Sequence, residues 1–312
     1  MYRFIFKKHL LLFISTLALI GAAIAAFCVF HSSQISSVKN ISAVATSTKE
    51  DFSAELDTIQ AKSFYVYDMV TGQALFTKNE HQQLPLASVA KLMTSEVIAE
   101  NMPASTTITI TAQDVLKRYD TGDLGLLWGE RWTRDDLLNY SLMTSSNDGM
   151  QALARTLDTT FLPKSTTTVS LMNDEAHELG LSDSFFFNVS GLDISPTLSG
   201  AYGSSHDVAL LLGDMLKENP SVLMDTTKVS ATFTSENKIV HHAVNTDALI
   251  PGIPSLLGSK TGYTDLAGGN LAIAFDAGLA HPVAIVVLGS TEDARFTDVA
   301  TLVDVTLKSL SQ

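Results

Sequence analysis

The uncharged run over residues 10–30 most limits what this chain can become. As a helix it would cross the roughly 30 Å hydrocarbon core of a bilayer, and Arg3, Lys7 and Lys8 precede it on the side that stays inside. It is longer than the apolar region of a cleaved signal peptide, which runs about 7–15 residues. Ala22, Ala23, Ala25 and Ala26 leave a cleavage route open, whereas Phe27 is too bulky for lipoprotein processing at Cys28. Residues 1–9 therefore read as a basic cytoplasmic segment and 10–30 as a single-pass anchor in the cytoplasmic membrane. Residues 31–60, rich in Ser, Thr and Ala with little periodicity, read as a flexible tether. Residues 61–312 are left for one domain on the extracytoplasmic, periplasmic or cell-wall side.

Charge and cysteine usage narrow the partners. The chain carries 20 Lys and Arg against 33 Asp and Glu, and most of the acids lie beyond residue 50. An acidic domain argues against nucleic acid, whose binding wants a basic face. Cys28 is the single cysteine, so neither an intrachain disulfide nor a cysteine metal cluster can form. His241 and His242 adjoin on a predicted strand and point to opposite faces, a poor metal pair. His206 reads as a cap-region residue, and Glu175 and Glu178 as a solvated helix face. No phosphate loop or zinc motif is present, and neither metal nor cofactor is expected.

The order of elements predicts a mixed α+β fold. Residues 62–69 and 74–78 flank Thr71-Gly72 as a hairpin. Helices are expected over 88–101, from Thr133 through Met143, after Ser145-Ser-Asn-Asp148, over 165–179 with Gly180 closing, and from a cap at 205–207 through Leu216. Strands are expected at 106–110, 239–244, 255–261, 269–275 and 283–288, the last almost wholly aliphatic, before an amphipathic helix over 293–310. A central antiparallel sheet then needs the N-terminal hairpin beside the C-terminal strands, with the helical block to one side.

Three short motifs carry chemistry in this order: Ser88-Val-Ala-Lys91, Ser145-Ser-Asn147 and Lys260-Thr-Gly262. Ser88 and Lys91 share a helix face, and Pro85 blocks helix just upstream, which puts Ser88 at or near the first turn with a nucleophile beside a base. Lys91 must be neutral to take a proton, through burial or a nearby cation such as Lys260. Ser145 can relay the proton, and Asn147 can bond a substrate peptide group. Lys260 and Thr261 can hold a carboxylate, and Gly262 lets a substrate backbone lie along the strand edge. The N–H groups of Ser88 and Tyr263 would form an oxyanion hole. Taken alone each motif is weak: Ser36-Ser-Val-Lys39 repeats the first in the tether, and Ser235-Glu-Asn237 repeats the second in what reads as a turn.

The set in this order is the signature shared by penicillin-binding proteins and class A β-lactamases. Its contexts, among them 84–94, 138–155, Phe187-Asn-Val-Ser-Gly-Leu192, Lys260-Thr-Gly-Tyr-Thr264, Ala267-Gly-Gly-Asn-Leu271 and Arg295-Phe296, resemble the low-molecular-mass penicillin-binding proteins. That is the D-alanyl-D-alanine carboxypeptidase family of serine peptidases, family S11. The resemblance covers about residues 60–310. It implies a β-lactamase/D,D-peptidase-like fold, an antiparallel sheet flanked by helices with an all-helical lobe and the site between them. It also implies peptidoglycan stem peptides ending in D-Ala-D-Ala as substrate, β-lactams as acylating inhibitors, and Arg295 as a helper in binding the terminal carboxylate. The chain ends too soon after Lys260 for the β-rich domain and amphipathic C-terminal anchor of many relatives, so the N-terminal helix is expected to replace that anchor. The short form also resembles the family's endopeptidases, which cut D,D-crosslinks. A β-lactamase would need a deacylating carboxylate loop between Asn147 and Lys260 that the sequence does not display. A non-catalytic cell-wall binding protein on the same fold would not need every reactive group to be present.

Overall fold

The computed structural model describes residues 51–115 and 125–311. The basic segment, the anchor at 10–30, Ser36–Lys39 and most of the tether lie outside the described residues. No helix among the described residues is long and apolar enough to cross a membrane.

The chain enters through α1 (Ser53–Leu56) and then forms the expected hairpin, β1 (Ser63–Asp68) and β2 (Gln73–Lys78). A two-residue strand, β3 (Leu84–Pro85), and a 3-10 turn (Ala87–Ala90) lead into α2 (Lys91–Asn101). The helical lobe follows with β4 (Thr107–Thr109), α3 (Ala112–Val115), β5 (Arg131–Thr133), α4 (Arg134–Thr144), α5 (Asn147–Thr160) and α6 (Thr168–Glu178). Short strands β6 (Phe185–Phe186) and β7 (Ala201–Gly203) precede α7 (Ser205–Glu218). The last third holds the hairpin β8 (Ser230–Thr234) and β9 (Val240–Val244), then β10 (Leu256–Thr264), β11 (Gly268–Asp276), β12 (Pro282–Ser290) and α8 (Ala294–Leu310).

The main sheet has the order β10-β11-β12-β1-β2, every neighbour antiparallel. The N-terminal hairpin thus lies beside the C-terminal strands. β12 is aliphatic at nearly every position because both of its faces are covered. Ala284, Val286 and Leu288 join the core of α7 and the helical lobe, while Val283, Ile285 and Val287 pack with Val299, Leu302 and Val303 of α8. The same alternation sets the site. Lys260 on β10 pairs with Ala272 on β11, which pairs with Val286, so Lys260 belongs to the row facing the helical lobe.

Helix starts follow the caps. Thr133 accepts from the Asp136 N–H, and Thr167 and Ser170 form a reciprocal capping box. The cap of α7 is Ser204, one residue before the expected Ser205, and it accepts from Asp207 N–H.

Two expectations are corrected and one strand is added. The tether does not reach residue 60: Phe52 and Ile59 are buried, Phe52 meets Phe76 edge-on at 5.8 Å, and the N–H groups of Gln60 and Ala61 donate to the Asp298 carboxylate at 3.0 Å each. Phe52, Leu56 and Ile59 fall at helical spacing, and they cover the α8 side of the sheet. Strand β8 lay hidden among short polar residues until β9 paired with it. Glu175 is half-buried instead of solvated, and burial first, then the charges of Glu100, Glu178 and Asp214, raise its pKa. His241 and His242 do diverge: His241 turns inward to Glu130 at 2.5 Å, and His242 meets the exposed Thr232.

Candidate active site

Ser88 sits on the 3-10 turn that feeds α2, one turn before Lys91, as the spacing requires. The turn is entered through Ala87 in the left-handed region, at φ 48°. It is held from behind by Asn270, whose buried amide donates to the Pro85 and Leu86 carbonyls at 2.9 and 3.0 Å and accepts from Gly289 N–H. β10 passes directly in front. A Cβ on Gly262 would stand 2.9 Å from the Leu86 carbonyl and 3.1 Å from Ser88 N, so only glycine permits this approach.

Lys91 is completely buried, while Ser88 is half-buried and reachable. Lys91 Nζ donates to Ser88 Oγ at 2.6 Å, to Asn147 Oδ1 at 2.7 Å and to the Ser190 carbonyl at 3.1 Å. Asn147 therefore anchors the lysine through its side-chain oxygen, a contact the motif spacing alone does not reveal. Ser190 is a residue the sequence reading missed. It lies in Phe187-Asn-Val-Ser-Gly-Leu192, where Asn188 Oδ1 accepts from the Ser190 and Gly191 N–H groups and Asn188 Nδ2 donates to Leu192 O.

Ser145 ends α4 in the left-handed region at φ 60°, and Ser146 caps α5 by accepting from Gly149 N–H. The middle serine of this motif is thus structural, and the reversal it helps make turns Ser145 toward β10. There Lys260 Nζ donates to Ser145 Oγ at 3.0 Å and to the Thr261 carbonyl at 2.8 Å. Lys260 is buried, and burial, the Lys91 charge and Arg295 hold it well below its ordinary value, against the opposing pull of Asp247. The Lys91 charge thus acts on Lys260.

The Thr261 hydroxyl shares a 2.6 Å hydrogen bond with Thr246. Arg295 does reach β10, where its Nη1 donates to the Gly262 carbonyl at 2.8 Å, so it braces the strand carrying the motif. Tyr263 continues the strand with its side chain 45% exposed. Ser235-Glu-Asn237 is the turn of the β8–β9 hairpin, as expected, and the Asn237 side-chain Oδ1 accepts from Arg131 N–H. Among the described residues no cluster of His, Cys, Asp or Glu could hold a metal ion.

The three motifs therefore converge from the 3-10 turn, the α4–α5 junction and the β10 edge. The family model of the D-alanyl-D-alanine carboxypeptidases, peptidase S11, matches residues 48–292. The chain belongs to this family. It is 30% identical over 258 residues to the D-alanyl-D-alanine carboxypeptidase DacF of Bacillus subtilis, a match covering 78% of this chain and 61% of that protein. It is also 30% identical to DacB2 of Mycobacterium tuberculosis, over 66% of this chain and 67% of the relative. Among solved structures, penicillin-binding protein D2 of Listeria monocytogenes in its ampicillin-bound form superposes with a TM-score of 0.65 at 25% identity, covering 80% of this chain and 98% of the other. This S11 chain thus spans about three fifths of the length of its Bacillus relative.

Proposed function

We propose that this S11 protein is a serine D-Ala-D-Ala carboxypeptidase of peptidoglycan, acylated on Ser88 by stem peptides and by penicillin. One observation carries the reading: Lys91 Nζ lies within hydrogen-bond distance of Ser88 Oγ, Asn147 Oδ1 and the Ser190 carbonyl, which suits the neutral amine that a base must be. An amine has two N–H bonds and one lone pair. With the N–H bonds directed to Asn147 and Ser190, the lone pair points at Ser88, whose hydroxyl then donates to it.

Lys91 takes the Ser88 proton as Oγ adds to the carbonyl carbon of the penultimate D-Ala. The new oxyanion is received by the N–H groups of Ser88 and Tyr263, at the place where Gly262 brings β10 against the turn. Collapse breaks the C–N bond, and the departing D-Ala nitrogen takes its proton through Ser145, which Lys260 contacts. Lys260 and Thr261 draw in the terminal carboxylate. Water then cleaves the ester on Ser88 by the reverse proton path. The substrate backbone adds along β10, which is the edge strand of the sheet.

The segment 10–30 serves as membrane anchor, placing the domain outside the cytoplasmic membrane; the basic residues before it support this orientation. Release of the protein from membranes by an alkaline carbonate wash would refute the anchor.

Fluorescent penicillin should label the wild-type protein and leave Ser88→Ala unlabelled; retained label sinks the nucleophile assignment. Purified muropeptides should lose a single D-Ala, read by mass. Conversion of crosslinked dimers to monomers would overturn the carboxypeptidase reading in favour of an endopeptidase, and rapid turnover of penicillin would favour a β-lactamase.

A further inference from the structure

Asp247 belongs to none of the three motifs, yet it lies where they meet. It follows β9 in a loop stitched to both sides of the site. Thr246 N–H donates to the Met143 carbonyl at 3.2 Å, two residues before Ser145, and the Thr246 hydroxyl bonds Thr261. Asn245 N–H donates to Val229 O, and the Asp247 N–H donates to Asn245 Oδ1 at 2.9 Å. The carboxylate is turned inward and 3% exposed. Its Oδ1 accepts from Leu249 N–H at 2.8 Å, whereas its Oδ2 is buried without a hydrogen-bond partner among the described residues. Arg295 Nε is buried and lacks a partner in the same way.

A buried, half-satisfied carboxylate costs free energy, so its retention calls for a compensating role. The compensation is at hand in charge. Lys91, Lys260 and Arg295 bring three basic groups to one buried region. Asp247 acts on two of them: it is the acid that opposes the lowering of Lys260, and with Glu292 and Asp293 it opposes the lowering of Arg295. Burial raises the Asp247 carboxyl itself, against Leu249 N–H, Ser259 and the Arg295 and Lys260 charges.

We propose that Asp247 is a positioning residue of the acyl-transfer site, the buried counter-charge that keeps Lys260 cationic beside Ser145 and steadies Arg295 against β10. It touches no reacting atom and works through Lys260. The inference rests on the reading of Ser88, Lys91 and Lys260 as an acylation site.

The test is the pH dependence of acylation by fluorescent penicillin, measured from about pH 5.5 to 10 on the wild type and on Asp247→Asn. Asparagine keeps the acceptor for Leu249 and gives up the charge. Losing a neighbouring opposite charge lets Lys260 release its proton about one pH unit earlier. The alkaline limb of the profile should move acidward by that amount, giving about a tenfold loss on the limb and little change near the plateau. A profile lowered evenly at all pH values, with its limb unmoved, overturns the proposal, because loop damage alone would act that way. If the asparagine variant fails to fold, Asp247→Ser, which keeps a short acceptor without the charge, is read by the same criterion. A wild-type protein that takes no label at any pH refutes the acylation reading instead, so the two failures are distinguishable.

Discussion

Glu96 offers the sharpest test of how this fold handles charge away from the site. It is fully buried on α2, where Oε1 accepts from Asn219 Nδ2 at 2.6 Å and Oε2 has no hydrogen-bond partner among the described residues. Burial raises its pKa from 4.5 to about 7, helped by Glu100, Asp214 and Glu175 and opposed by Asn219. The native protein therefore keeps this proton in a range where the unfolded chain has lost it. Stability contributed by the neutral form is fully present below about pH 4.5 and is lost as pH rises through about 7. The difference is about 2.5 pH units, and at 1.36 kcal/mol per unit the cost of ionised Glu96 at pH 8 is about 3 kcal/mol. Glu96→Gln keeps the acceptor for Asn219 and cannot ionise. At pH 8 it should raise Tm by about 6–12 °C, at roughly 2–4 °C per kcal/mol for a domain of this size. Near pH 4 the two proteins should melt together. Thermal unfolding followed by circular dichroism at both pH values decides the matter. A Tm difference that does not depend on pH, or a glutamine variant less stable at pH 8, would show the reasoning to be wrong.

Two further substitutions probe the site itself. Asn147→Ala removes one of the two acceptors that orient Lys91, so the acylation rate should fall about 100-fold while Tm holds, because Asn147 is half-buried; an unchanged rate would deny it that role. Gly262→Val puts a branched side chain 2.9 Å from the Leu86 carbonyl and should push β10 off the turn. A displacement near 1 Å can cost about 100-fold, so labelling should slow at least tenfold with the far-ultraviolet spectrum unchanged.

Much of this architecture could be read from side-chain pattern. The aliphatic run in β12 announced a strand, and Thr133 with Asp136 announced a helix start. Ser88, Lys91, Ser145 and Lys260 were readable because each supplies a reactive group at motif spacing, and the fold brings all four together. What escaped lies in groups that carry no residue signature. Ser190 contributes a backbone carbonyl, which any residue could supply. Ser146 caps a helix from the middle of a motif, where attention falls on its neighbours. Phe52, Leu56 and Ile59 were diluted by Ser, Thr and Ala, so a folded segment passed for linker. Asn147 also accepts from Lys91, and Arg295 donates to the Gly262 carbonyl, contacts that motif spacing alone does not show.

The pairing of β1 with β12 bears on how the protein is made. Ser63 lies opposite Leu288, so a strand synthesised early waits for one that emerges almost at the end. Contacts this distant in sequence impose a large loop-closure entropy and slow folding. Until β12 arrives, β1 exposes one unpaired edge, and β10 and β11 have no sheet to join. Lys260 meets Ser145 from β10, which is held in the same sheet through β11 and β12, so the nucleophile's full surroundings depend on that pairing. A chain released before residue 290 would carry Ser88 and Lys91 without the frame that sets them to work.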